Sequence, residues 1–137
     1  MAYRIIDRDN ERCSEWLGDS TRGSYDMLAT IGLERDGELV AVAGYNQFTP
    51  KSCAVHFSID KGIYPPRNFI WFVHYYPFVQ AGVNVMLAMV RAENQRIIKL
   101  AEHLGYTLHC KIDEAGLLLY GLSKQNCKWI GINYGRK

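Results

Sequence analysis

The chain of 137 residues has no long apolar run, no cluster of basic residues and no secretion signal. Its longest nearly apolar stretch, residues 69–79, holds a histidine and a proline and is too short to span a bilayer. The formal net charge is only +2, so nothing indicates a nucleic-acid or membrane-binding surface. The first residues lack the apolar core of a signal peptide. We therefore expect a soluble cytoplasmic protein with no nucleic-acid or membrane partner.

The chain also lacks the cysteine and histidine spacings of metal sites. None of its four cysteines forms a CxxC pair, and no His-x-x-x-His accompanies them, so we expect no zinc site. They are typical of reduced cytosolic thiols, most of them packed as small apolar groups. The length predicts one domain over residues 1–137, with residues 125–137 as an extension that could pack back through Trp129 and Ile130. The cysteines are Cys13, Cys53, Cys110 and Cys127.

Apolar periodicity and turn residues predict the element order β, α, β, β, β, α, β, α, β, β. The order predicts an α+β fold with α/β/α layers. In it, a mostly antiparallel sheet carries helices on both faces, with parallel pairing only at helical crossovers. The predicted strands cover residues 3–6, 27–35, 38–49, 53–60, 83–90, 106–112 and 117–122, and the predicted helices cover residues 11–17, 67–76 and 95–104.

Glycine and proline set several of these boundaries. Asp36-Gly37 between two apolar runs predicts a β-hairpin. Gly18 is expected to end the first helix, and residues 19–25 are interpreted as a loop. Pro77 is expected to kink or end the second helix.

The turn before the second helix could hold a phosphate. Lys61, Gly62 and Arg67 lie in or beside it, and a helix N-terminus presents unpaired N–H groups and a partial positive charge. Gly62 would let the backbone approach a ligand closely. The same residues also suit a plain turn that leads into a helix with Pro66 in its first turn. Both interpretations remain open.

The most informative segment runs from Val85 to Tyr106. An apolar strand is followed by Asn94, which can cap a helix, and by Gly105, which ends it before an aromatic residue. This pattern resembles the second cofactor-side motif of the GNAT superfamily of acyl-CoA-dependent N-acyltransferases. The apolar stripe of the helix consists of Ile97, Ile98, Leu100, Ala101 and Leu104.

The resemblance extends over about residues 38–122, and residues 76–82 are similar to small members encoded by bacteriophages. It implies a GNAT-like sheet. It also implies the transfer of an acyl group, with acetyl-CoA as co-substrate, to an amine of a protein or small molecule by direct attack. A phage protein would act in the host cytoplasm.

The resemblance also assigns residues to the coenzyme A site. The pantetheine arm enters a splay between the fourth and fifth strands, and a backbone donor for the thioester oxygen lies near Ser58, Ile59 or Asp60. Asn94 matches an asparagine that contacts the cofactor arm, although helix capping alone also explains it. The residues implied at the pyrophosphate are Lys61, Gly62, Arg67 and Asn68.

Two departures from the family pattern stand out. The turn has a single glycine, Gly62, and Pro65-Pro66 supplies no N–H donors. The tyrosine that commonly protonates the leaving thiolate is replaced by Ala101. Tyr106, Tyr120 or solvent could substitute, and the sequence selects none of them.

His56 is the preferred general base because histidine titrates near neutral pH and lies here on the more polar face of the fourth strand. A strand histidine bonded to a backbone carbonyl is the alternative. Asp60, near the strand end, is the second candidate. We expect His74 to be packed or hydrogen-bonded and His103 to be exposed, and we assign no partner to His109.

The second predicted helix is rich in aromatic residues. We expect Phe69, Phe72, Val73 and Tyr76 on one side, with the remaining aromatics either snorkelling or forming a patch that binds a partner. A patch that binds a partner would suit a second hypothesis for the function. In that hypothesis a catalytically weak GNAT scaffold binds and modulates a cellular or host protein.

Overall fold

The computed structural model describes residues 2–21 and 27–131. Within them the predicted element order is confirmed, and the strands form one sheet in the order β1-β2-β3-β4-β5-β7-β6. No helix in the described part of the chain is long and apolar enough to cross a membrane. The elements are β1 (Tyr3–Ile6), α1 (Asn10–Thr21), β2 (Ala29–Arg35), β3 (Glu38–Asn46), β4 (Ser52–Ile59), α2 (Arg67–Tyr75), β5 (Val85–Arg91), α3 (Gln95–Leu104), β6 (Thr107–Ile112) and β7 (Leu117–Ser123).

The sheet is antiparallel except where α2 carries the chain from β4 to β5. That parallel pairing begins at Ser52 and Val85 and ends at Ala54 and Leu87. Beyond it β4 continues to Ile59 without pairing to β5 among the described residues. The two strands therefore splay apart toward the carboxyl end of β4, as the family resemblance implies.

Helices cover both faces of the sheet, which confirms the α/β/α layers. On one face, Cys13 and Leu17 of α1 pack against Val42 of β3. The packing is close, since a Cβ added at Gly44 would lie 2.6 Å from the sulfur of Met27. On the other face, α2 and α3 bury apolar side chains in the larger core. The main helical contributors to it are Phe69, Ile70, Val73, Ala101 and Leu104.

Local turn chemistry accounts for the hairpin between β2 and β3. Asp36 has φ 53° and Gly37 has φ 89°, so both central residues are left-handed, as a type I′ turn requires. The hairpin that the Asp-Gly pair predicts is confirmed.

Two helix boundaries differ from expectation. Gly18 does not end α1, which continues to Thr21. A glycine ends a helix by taking a left-handed φ, and Gly18 is not among the described residues that have one. Residues 19–21 of the expected loop are therefore helical, and residues 22–25 lie outside the described residues. Residues 132–137 of the expected extension also lie outside them.

Pro77 ends α2 in the expected way. After Tyr75 the chain widens into a π-helical turn, in which the Ala81 N–H donates to the Tyr76 carbonyl at 2.8 Å. A wider turn accommodates a residue that has no N–H. The prediction for the apolar side of α2 is wrong at one residue, because Phe72 is 39% exposed.

His74 takes part in the buried face of α2, which confirms the expectation of a packed histidine. Its Nδ1 lies 2.8 Å from the Ile70 carbonyl, and its Nε2 lies 3.2 Å from the Tyr106 hydroxyl. A carbonyl only accepts, so Nδ1 carries the proton and Nε2 accepts from Tyr106. Burial lowers the pKa of His74 from 6.5 to about 4. The imidazole is therefore neutral at pH 7.

The lowered pKa of His74 makes stability depend on pH. As the pH falls below 6.5, the unfolded chain takes up this proton before the folded chain does, until about pH 4. The free energy of unfolding should therefore fall by about 3 kcal/mol across that window because of His74. Urea denaturation at several pH values should show a shallower decline for His74→Gln, although that variant is also less stable at pH 7. Equal declines in both proteins would contradict this assignment.

Candidate functional site

The splay between β4 and β5 leaves one edge of β4 open. The Asp60 N–H donates to the Val40 carbonyl at 2.8 Å, so these residues form a hydrogen-bonded pair with β3. Bonded and non-bonded pairs alternate along an antiparallel ladder. The backbone groups of Phe57 and Ile59 therefore point away from β3, toward the splay. Among the expected donors for a thioester oxygen, the Ile59 N–H faces the splay.

The same alternation bears on the other two of the three alternative donors. The backbone N–H groups of Ser58 and Asp60 point toward β3, and that of Asp60 is bonded there. Neither is therefore placed to donate into the splay from β4.

The mouth of the splay is a cavity of about 540 Å³, here called the gap cavity. It is lined by residues 58–61 at the end of β4 and by residues 93–97 at the start of α3. Arg96 crosses it, because its Nη2 donates to the Ile59 carbonyl. This bond ties the first turn of α3 to the open edge of β4.

A larger cleft of about 1010 Å³, here called the basic cleft, lies between the N-terminus of α2, α3 and residues 128–129. Asp60 is the one carboxylate that lines it in the described part of the chain. The excess of positive charge suits a ligand with several phosphates. Its four cationic side chains belong to Arg67, Arg96, Lys99 and Lys128.

The turn before α2 forms one end of this cleft. Gly62 has φ 82°, and a Cβ added there would meet no other atom within 4 Å, so its backbone is open to a ligand. Pro66 precedes the first helical residue, and the Phe69 N–H donates to its carbonyl at 3.1 Å. Gly62 and Arg67 line the basic cleft, Lys61 lines the gap cavity, and Asn68 lines neither of the two.

Asn94 caps α3, as expected. Its Oδ1 accepts from the Ile97 N–H at 3.3 Å, and Gly105 closes the helix with φ 99°. Asn94 also lines the gap cavity, so a ligand contact remains open beside the capping role.

His56 lies on the opposite face of the sheet from the basic cleft. It is paired with Gly44, where α1 packs, and its Nε2 lies 3.0 Å from the Asn46 Oδ1. The amide oxygen only accepts, so Nε2 carries the proton and Nδ1 holds the lone pair of the neutral ring. Burial lowers the pKa of His56. The ring is therefore neutral at pH 7 and can accept a proton.

His56 and Asp60 are not brought together. Asp60 lies four positions after His56, which is about 13 Å along the strand at about 3.3 Å per residue. Asp60 lines both cavities and lies among the cations of the basic cleft. His56 lines neither cavity, and the catalytic roles of His56 and Asp60 both stay predictions.

Neither candidate tyrosine lies open at the splay. The Tyr106 hydroxyl is bonded to His74 in the core, and burial raises its pKa. The Tyr120 hydroxyl donates to Glu102 of α3 at 3.3 Å. Ala101, at the position of the family tyrosine, is buried.

Sequence reasoning missed three of the four cations in the basic cleft. Arg96 and Lys99 are three residues apart on α3, a spacing that places them on one helix face and could have been noticed. Lys128 reaches the cleft because the chain folds back, where the Trp129 Nε1–H donates to the Leu104 carbonyl at 2.7 Å. This contact confirms that residues 129–130 pack on the body of the protein.

No protein-family model and no curated protein sequence matches the chain. Solved structures do match. The Campylobacter jejuni N-acetyltransferase PseH in complex with acetyl coenzyme A is 14% identical with a TM-score of 0.63, and the match covers 90% of this chain and 99% of that one. A mutant of the Vibrio cholerae spermidine N-acetyltransferase SpeG is 11% identical with a TM-score of 0.70, covering 94% and 96%.

The GNAT domain of the S. lividans protein PAT is a third such structure, 16% identical with a TM-score of 0.63, covering 88% of this chain and 89% of that one. These likenesses show that the chain has the GNAT fold, and the fold class expected from the sequence is confirmed.

The capping role of Asn94 can be measured by itself. Asn94→Ala should lower the free energy of unfolding by about 1 kcal/mol, because the Ile97 N–H loses its acceptor. Asn94→Asp is the matched control and should keep the stability, since aspartate is an equally good cap. Chemical denaturation measures both, and equal stability of the alanine variant would contradict a capping contribution.

Proposed function

We propose that this chain, which has the GNAT fold, is an acyl-CoA-dependent N-acyltransferase with acetyl-CoA as the acyl donor. The observation that carries the proposal is the splay between β4 and β5, which opens beside a cleft with four cationic side chains. A strand edge and a basic cleft together suit a ligand that has an amide-bearing arm at one end and phosphates at the other. PseH, which shares the fold, is described in complex with acetyl coenzyme A.

In this proposal the phosphates of the donor lie in the basic cleft. Gly62 lets the pyrophosphate approach the backbone, and Arg67, Lys99 and Lys128 supply positive charge. Lys61 contributes from the adjoining gap cavity, and the first turn of α2, which includes Asn68, adds its N–H groups. The pantetheine arm extends along the open edge of β4 toward Phe57, with Asn94 at the mouth of the gap cavity.

The chemistry is direct attack. The neutral nitrogen of the acceptor amine forms a bond to the thioester carbon, the carbon–sulfur bond breaks, and the coenzyme A thiolate leaves. The Ile59 N–H faces the place where negative charge grows on the carbonyl oxygen. His56, on the α1 face, accepts the proton that the amine loses, either directly or through one water. The thiolate takes its proton from solvent, since neither Tyr106 nor Tyr120 is open to it.

The two faces of the sheet thereby take separate roles. The donor enters from the side of α2 and α3, and the acceptor approaches from the side of α1, where His56 lies. The acceptor is an amine of a protein or a small molecule.

Binding of the donor is the first test. Calorimetric titration should give micromolar affinity for acetyl-CoA, and Arg67→Ala should weaken it about tenfold through loss of a charged contact. Arg8→Ala, which removes an exposed arginine outside both cavities, is the matched control and should bind like the wild type. Absence of binding at millimolar acetyl-CoA would overturn the proposal.

The role of His56 is tested by measuring the rate of acyl transfer. With the most reactive amine of a panel, His56→Gln should lower kcat/KM about a hundredfold near pH 7. The wild-type rate should decline on the acid side below pH 6.5, because the pKa of His56 is lowered from that value. The variant should lack this decline and keep its affinity for acetyl-CoA. An unchanged pH profile in the variant would exclude His56 as the base.

A second candidate function has its own observation. On the outer side of α2, Trp71 stacks on Tyr75 with ring centroids 4.2 Å apart and meets Phe72 edge-on at 4.8 Å. Phe72 is 39% exposed and the other two rings are half-buried, and such a partly exposed aromatic cluster suits a scaffold that binds a cellular or host protein without catalysis. Capture of a stable partner that bears no acyl mark, lost in Trp71→Ala, would support this function over the enzyme.

A further inference from the structure

Arg96 occupies a place on β4 that a neighbouring strand would normally take. Its Nη2 donates to the Ile59 carbonyl, which points into the splay beyond the last residues paired between β4 and β5. A backbone carbonyl on an open strand edge needs a donor. In this structure the guanidinium is that donor.

The side chain also separates the two cavities. Arg96 lines both the gap cavity and the basic cleft, and it does so from the exposed first turn of α3. Its long side chain can therefore turn from the strand edge into the basic cleft without moving the helix. There it would join Arg67, Lys99 and Lys128, which line the same space.

We propose that Arg96 is a latch that coenzyme A displaces. In the closed position of the latch, the guanidinium bonds to the Ile59 carbonyl and covers the edge of β4. When the phosphates enter the basic cleft, the guanidinium moves to them, and the Ile59 carbonyl becomes the acceptor for an amide N–H of the pantetheine arm. This inference rests on the proposed function, since it requires coenzyme A as the ligand.

The latch couples the two ends of the ligand. Pantetheine alone must break the bond between Arg96 and Ile59 and offers the guanidinium no anion in return. Coenzyme A breaks the same bond but supplies phosphates that replace it with charge-assisted contacts. The wild-type protein should therefore discriminate strongly between the two ligands, and Arg96 should account for much of that discrimination.

Two matched variants test the latch. Arg96→Met removes the guanidinium, and Lys99→Met removes a cation from the same wall of the basic cleft without a contact to β4. Both positions are exposed, and methionine is a good helix former, so both variants should fold. The affinities of each protein for coenzyme A and for pantetheine are measured by calorimetry and, where weak, by NMR titration.

Arg96→Met should bind pantetheine about tenfold more tightly than the wild type and coenzyme A about tenfold more weakly, as expected for one charged hydrogen bond. Lys99→Met should weaken the binding of coenzyme A and leave the binding of pantetheine unchanged. Unchanged or weaker pantetheine binding in Arg96→Met, with coenzyme A bound normally by the wild type, would overturn the latch and leave the proposed function standing. Failure of the wild type to bind coenzyme A would overturn the proposed function itself.

Discussion

The early end of the β4–β5 pairing is the constraint on which the site depends. After Ala54 and Leu87 the strands part, and the backbone groups of Phe57 and Ile59 face a gap instead of a neighbour. Backbone groups in a sheet need hydrogen-bond partners, so an incomplete ladder is a place where another chain-like molecule can pair. The sheet thus creates a binding edge in its own interior, where flanking helices supply the remaining contacts.

The two faces of the sheet beside this edge differ in the charge of their side chains. The cations gather on the side of α2 and α3, and His56 lies on the side of α1, bonded to the neutral Asn46. Its pKa is lowered by burial, which keeps the ring neutral at pH 7. A cation beside the base would also repel a protonated amine. In the proposed function, the charge that would bind phosphates and the residue that would accept the proton lie on opposite faces of the sheet, which would serve both tasks.

Turn and helix-cap residues made much of this fold predictable, because they act on the backbone next to them. The contacts that shape the site join segments that are distant in the sequence, and these were not predictable in the same way. Asp36-Gly37 fixes its hairpin through backbone conformation, and Asn94 fixes the start of α3 through its side-chain cap. Gly18 was a misleading signal, because a glycine ends a helix only if the chain turns there, and packing of α1 on the sheet decides otherwise. His56 meets Asn46 only through the pairing of β3 with β4, which periodicity does not determine. The splay itself was expected from a family resemblance, because no residue of β4 indicates where its pairing stops.

The departures from the family loop change how a phosphate would be held. Pro65-Pro66 offers no N–H groups, so oriented backbone donors would give way in part to the charged side chains of Arg67 and Lys99. The thioester end of the ligand, in contrast, would still meet the fixed backbone of β4. In the proposed site, phosphate binding would therefore depend on charged side chains, and thioester binding would depend on the backbone of β4. Arg96 is the residue that would take part in both.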